Sequence, residues 1–188
     1  MFGLLLSEWR LPMFGTTGAD ENTINLKETF NPSPKIPWIV TKVALLALNT
    51  FAVINSILVE EPNKVFWLSY LTHCTTLIST VYLISSFLSL VLFPIESGAK
   101  EVSTHSKATW GLFALSINLE MFVTIMYWVL VYDSSTLLLF RAIYEHGILF
   151  LLVALDGFVI HRFPIRFKQI AWVYLVEILV SFLSCQNE

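Results

Sequence analysis

Charge is scarce in this chain: Asp, Glu, Lys and Arg make up 13% of its 188 residues, about half the share found in an ordinary soluble domain. The net charge of −3 is scattered, with no basic run or stripe. A row of phosphates could not be neutralised by such a surface, so a nucleic-acid partner is excluded. Cysteine is rarer still. Cys74 and Cys185 show no CxxC spacing, which rules out a disulfide framework and a thiolate zinc site, and both are read as inert. A secretory signal peptide is also missing, because MFGLLLSEW has no basic stretch before its short apolar patch and no small-residue cleavage site after it. No internal repeat is visible.

What the chain has in abundance is apolar sequence, 56% of all residues, gathered into blocks long enough to cross a hydrocarbon core, which takes about 20 residues of helix. The fold class expected is all-α, a polytopic transmembrane helical bundle of about five spans. Residues 1–35 form a polar tail whose Gly, Asn, Asp and Pro content suits surface chain. Residues 36–188 form the transmembrane domain, with spans expected at about 37–59, 65–93, 108–132, 143–160 and 168–184. The stretch 136–145 reads either as a short interfacial helix or as the first turns of the fourth span. The seven prolines fall outside span interiors or, as with Pro37, in a first turn, the distribution required where every backbone group must be satisfied within its own helix.

Tryptophans mark the same boundaries. Trp38, Trp67, Trp110 and Trp172 stand near helix starts and Trp128 near a helix end, where the headgroup zone favours an amphipathic ring. The tail and the connectors after the second and fourth spans carry Arg10, Lys27, Lys35, Lys100, Lys107, Arg162, Arg166 and Lys168, against Lys64 and Arg141 on the opposite side. By the positive-inside rule the N-terminus is expected in the cytosol, with the protein in the endoplasmic reticulum or plasma membrane.

Polar residues inside the spans are the functional candidates. A carboxylate at bilayer depth costs several kcal/mol unless paired, hydrated or protonated, and Glu120, Asp156 and Glu177 all fall there. Ser116, Glu120, Thr124 and Tyr127 share one helical face, as do Tyr174, Glu177, Ser181 and Ser184. The plainest role for such faces is hydrogen bonding between helices. The second span carries a denser stripe of Ser69, Thr72, Thr76, Ser79 and Thr80, with His73 beside it. Thr72 would lie roughly 10 Å in from the non-cytoplasmic end of its span, and His146 near the same side at the start of the fourth. A hydroxyl becomes a nucleophile when a neighbouring base takes its proton, and a neutral histidine is the usual base. Asp156, roughly 15 Å further along the helix than His146, cannot orient that imidazole, so no Ser-His-Asp type triad is implied.

Three strings, FWLSYLTHCTTLIST (66–80), VTIMYWVLVY (123–132) and HGILFLLVALDGFVIHRFPIRF (146–167), taken in this order and spacing, resemble the androgen-induced protein family of multi-pass fatty-acid-ester hydrolases and the related Rolling stone-like membrane proteins. The resemblance spans roughly residues 37–184. It implies an enzyme that cleaves esters of fatty acids with hydroxy fatty acids, with the family's threonine at Thr72 and its histidine at His146. Thr72 would attack the carbonyl and His146 would act as base and then acid. Two features depart from the pattern: His73 stands where relatives often have Asn or a bulky apolar residue, and the chain ends at Glu188 where relatives continue with a further apolar segment.

Other classes remain open at this point. The Rolling stone branch is tied to cell fusion, so a non-catalytic protein of adhesion, fusion or scaffolding is the main alternative. A proton-coupled transporter using Glu120, Asp156 and Glu177 as a relay would be expected to show inverted repeats and broken helices. A metal-dependent hydrolase would need about three protein ligands, and near His73 and His146 the sequence offers only Glu145 and the carboxylates of residues 60–61. The expectation is therefore no metal and no cofactor, with membrane lipids and a lipid ester as partners and substrate, and with His73, Thr76, Glu120, Asp156 and Glu177 lining the polar interior around Thr72 and His146.

Overall fold

A computed structural model describes residues 35–59, 71–93, 103–133, 140–163, 169, 170 and 174, and these are helical with short connecting turns and no strand among them. Helix α1 is Lys35–Val59. Pro37 sits in its first turn, and its carbonyl accepts a hydrogen bond from the Thr41 hydroxyl at 2.9 Å. Helix α2 is Leu71–Val91. Helix α3, Thr104–Met126, continues into a π-helical turn, Tyr127–Val131. It begins ahead of residue 108, where hydropathy first rises, because Ser103 caps it: the Ser103 hydroxyl accepts from the Ser106 amide at 3.1 Å. Hydropathy reports where lipid begins, whereas a cap reports where helix begins, and the two need not coincide.

The fourth helical run, α4, covers residues 140–160 and alternates α and π geometry: Phe140–Ile143, π Tyr144–Ile148, Leu149–Ala154 and π Leu155–Ile160. The ambiguous stretch before residue 145 is thus helical from Phe140 onward. At the far end the Phe163 amide reaches back to the Gly157 carbonyl at 2.9 Å and the His161 amide to Asp156 at 3.1 Å. Arg162, at φ 55°, takes the left-handed position that closes a helix and is usually given to glycine. The fifth expected span falls almost wholly outside the described residues.

Among the described residues, three helices, Ile36–Leu58, Leu71–Val91 and Thr104–Val131, are long and apolar enough to cross a membrane. Their burial pattern makes the stronger case. On α1 the inward positions are Lys42, Leu45, Asn49, Ala52 and Ser56, while Ile36, Val40, Val43, Phe51, Ile54 and Leu58 face outward. On α2 Thr75, Thr76, Ser79, Ser86 and Ser89 are buried, and Val81, Ile84 and Val91 face outside. Met121, Ile125, Val129 and Leu130 of α3 and Leu151, Phe158 and Val159 of α4 continue the apolar exterior. In water this arrangement would bury hydroxyls and ions while wetting aliphatic surface, the reverse of what the hydrophobic effect rewards. Its natural solvent is hydrocarbon, where helices associate through small and polar residues. The protein is an integral membrane protein.

An apolar knot holds the lower half together. Phe113 of α3 is fully buried, with ring centroids 5.5 Å from Tyr82, 5.1 Å from Phe158 and 5.4 Å from Phe163. Its ring lies directly on the α4 backbone at Gly157, where an added Cβ would overlap it. Gly157→Ala should therefore force overpacking worth about 1–3 kcal/mol, read as a lowered midpoint of thermal unfolding in detergent. Gly147→Ala, whose Cβ would meet only Trp128 at 3.9 Å, should leave the midpoint unchanged.

Candidate active site in a polar interior

The inward polar residues of α1 recur every seventh position, Lys42, Asn49 and Ser56, and each meets a polar residue of the antiparallel α2. Lys42 donates to Ser86, the Asn49 amide donates to Thr80 at 2.7 Å, and Ser56 lies 3.5 Å from His73 Nε2. Seven residues of helix rise about 10.5 Å, so the contacts form three levels through the bundle.

The lowest level is an ion-pair cluster. Lys42 of α1 and Asp156 of α4 form a salt bridge, with the two side chains 2% and 0% exposed. Tyr82 of α2 donates to the same carboxylate at 2.7 Å and Ser86 donates to it as well. His161 Nε2 stands 3.0 Å from the Ser86 hydroxyl. Although this cluster contains a serine, a histidine and an aspartate, it is a poor nucleophilic centre. The Ser86 proton is committed to Asp156, and its oxygen accepts from Lys42, whose charge is held by the salt bridge. Below, Ser85 and Ser89 of α2 meet Thr109 of α3 at 2.7 and 3.0 Å, a packing contact of small hydroxyl residues.

The middle level joins all four helices. Ser79 of α2 donates to Glu120 Oε1 of α3 at 2.7 Å, and the Tyr144 phenol of α4 donates to Asn49 Oδ1 at 3.1 Å. Glu120 and Glu145 are both buried. Thr76 is also buried, its hydroxyl donating to the Thr72 carbonyl at 2.8 Å.

The upper level holds the residues singled out for catalysis. His146 lies within the first π turn of α4, off helical geometry at φ −111° and ψ 20°. Its ring stacks on Tyr127 of α3, centroids 3.7 Å apart and planes within 6°, and its carbonyl accepts the Trp128 indole N–H. Two π turns, one on each helix, therefore face each other across this imidazole, a local geometry frequent at functional sites. On α2, Thr75, Thr76 and Thr80 commit their hydroxyls to backbone carbonyls one turn back. The half-buried Thr72 hydroxyl makes no such bond among the described residues, while its carbonyl accepts two. No hydrogen bond joins Thr72 to His146. Counted upward from the Lys42 level, Thr72 stands about 21 Å along α2 and His146 about 15 Å along α4, a difference of about one helical turn.

Of the residues expected to line the interior, His73, Thr76, Glu120 and Asp156 are all buried, while Glu177 lies outside the described residues. The buried groups are divided among levels rather than gathered into one site: Asp156 belongs to the ion pair, Glu120 to the middle level, and His73 and Thr72 to the top. Sequence reading missed Lys42, Tyr82 and Ser86. The available signal was Lys42 itself, a lone cation inside an apolar span that calls for a carboxylate at equal depth. Compared with known protein families, curated proteins and solved structures, the chain finds no match.

The ion pair makes a sharp prediction. Removing one partner of a buried pair strands the other and costs about 3–5 kcal/mol, so Lys42→Met should lower the protein level in membranes and the unfolding midpoint in detergent severely. Adding Asp156→Asn, which removes the stranded charge but keeps acceptors for Tyr82 and Ser86, should recover much of that loss. A Lys42→Met single variant as stable as wild type would show that the pair contributes nothing.

Proposed function

We propose that the protein is an intramembrane hydrolase of lipid esters, of the fatty-acid/hydroxy-fatty-acid type, with Thr72 as nucleophile and His146 as general base. The observation that carries this reading is the upper level. There a histidine held by ring stacking and displaced from helical geometry lies within about one turn of Thr72, at the head of the α2 hydroxyl stripe. The resemblance carried by residues 66–80, 123–132 and 146–167 names the same pair.

In this mechanism the Thr72 oxygen attacks the ester carbonyl while His146 removes its proton. Collapse of the tetrahedral intermediate breaks the bond to the leaving oxygen, which takes the proton from His146. Water, deprotonated by the same imidazole, then cleaves the acyl-threonine and releases the fatty acid. The substrate carbonyl bridges the gap between the two side chains, as fits a site whose hydrogen bonds close only in the complex. A position below the membrane interface suits a lipid ester whose chains stay in hydrocarbon. We place the N-terminus in the cytosol and this upper level toward the opposite face, in the endoplasmic reticulum or plasma membrane.

Proteoliposomes of the wild-type protein should hydrolyse a branched fatty-acid ester and react with a fluorophosphonate probe at Thr72. Thr72→Ala and His146→Ala should each lower hydrolysis by about two to four orders of magnitude, the range expected for a general base or its nucleophile, without altering folding. Equal turnover and equal labelling in all three proteins would leave the non-catalytic reading, a protein of adhesion, fusion or scaffolding.

A further inference from the structure

Below His146, one face of α3 carries polar atoms that neither the ion-pair cluster nor the proposed hydrolysis uses. Ser116 Oγ, Glu120 Oε2 and Thr124 Oγ1 are all buried and make no hydrogen bond among the described residues. They stand at i, i+4 and i+8, so they form a straight row with neighbours about 6 Å apart. Its upper end, Thr124, is three residues from Tyr127, the ring on which His146 stacks. Glu120 is the centre of the row. The side chain is 0% exposed, and Ser79 holds Oε1 at 2.7 Å, which fixes the carboxyl group while its second oxygen stays unbonded.

Buried polar atoms are paired in the great majority of cases. Ser and Thr within helices ordinarily settle their hydroxyls on the carbonyl four residues back, as Thr76, Thr80, Ser89 and Thr109 do here. Ser116 and Thr124 forgo that bond on the same face as the unbonded carboxyl oxygen. A row of this kind has the form of a binding surface for a polar group inside an apolar bundle.

We propose that Ser116, Glu120 and Thr124 form a binding site for a neutral hydroxyl group carried on a single alkyl chain. Charge decides the ligand class. An anion would have to shed its water beside the buried acidic side chains of Glu120 and Glu145, and a cation would have to shed its water to reach bilayer depth, each at a cost of several kcal/mol. A hydroxyl avoids both penalties. It donates to Glu120 Oε2 and accepts from Ser116 or Thr124, so each of its partners gains the bond it lacks. The chain itself remains among the apolar side chains of the bundle. The inference needs the membrane setting of the helices, and it stands whether or not Thr72 and His146 hydrolyse esters.

The site can be read without any turnover. Dicyclohexylcarbodiimide, an apolar reagent for carboxyl groups in membranes, should label Glu120 of the full chain in phosphatidylcholine proteoliposomes, located by peptide mass spectrometry and lost in Glu120→Gln. Hexadecanol should reduce labelling at Glu120 several-fold, whereas hexadecane, hexadecylamine and palmitate at equal membrane concentration should not. In the double variant Ser116→Ala with Thr124→Ala, labelling should persist and protection by hexadecanol should fall. Equal labelling with hexadecanol and hexadecane would overturn the proposal, as would protection by hexadecylamine or palmitate matching that by hexadecanol, or full protection in the double variant. Absence of label at Glu120 in the folded wild type would also overturn it, because a site open to an alkyl alcohol must admit this reagent.

Discussion

The constraint on which this structure depends is that hydrocarbon cannot satisfy a polar group. Every hydroxyl, amide and charge within the spans must find its partner in another helix or remain unbonded at a cost. Apolar surface gains nothing by being buried in such a solvent, so it is turned outward at Val40, Phe51, Val81, Ile125 and Val129. The interior is then assembled from what lipid rejects. Lys42 and Asp156, Asn49 and Thr80, and Ser79 and Glu120 are at once the contents of the core and the ties between helices.

Within that economy the three levels differ in how completely they are satisfied. At the Lys42 level each oxygen of Asp156 has a donor, and Ser86 is bonded on both sides. Such saturation suits a clamp. Higher up, Ser116, Glu120 and Thr124 of α3 each keep a side-chain oxygen without a partner among the described residues. Incomplete bonding is expensive in this solvent, and this row of it ends beside Tyr127, the ring on which His146 stacks.

The membrane assignment and the helical class were legible in the sequence because they rest on long blocks of composition and on proline placement, signals that no tertiary contact can reverse. Inward-facing polar positions were legible too, at His73, Thr76, Glu120 and Asp156, since the cost of exposing them to lipid is local. What escaped was pairing. Lys42 and Asp156 are separated by 113 intervening residues, and no periodicity connects them. Their match follows only when the depths of α1 and α4 are compared. The π turns at Tyr127–Val131 and Tyr144–Ile148 were likewise hidden, because neither contains a proline that would mark it. Glu177 lies outside the described residues, so its place in the interior still rests on sequence.

The seven-residue spacing of Lys42, Asn49 and Ser56 has a further consequence for how the chain selects its alignment. Two greasy rods with evenly spaced studs can mate in more than one position. Sliding α1 by a single heptad along α2 would bring Lys42 opposite Thr80 and Asn49 opposite His73. That displaced pairing still offers hydrogen bonds, so hydroxyl and amide contacts alone leave the decoy alignment competitive. Only charge tells them apart: a slid α1 would carry its ammonium group away from Asp156 and abandon both ions in oil. A single lysine thus acts as the key that makes an otherwise repetitive lock fit one way.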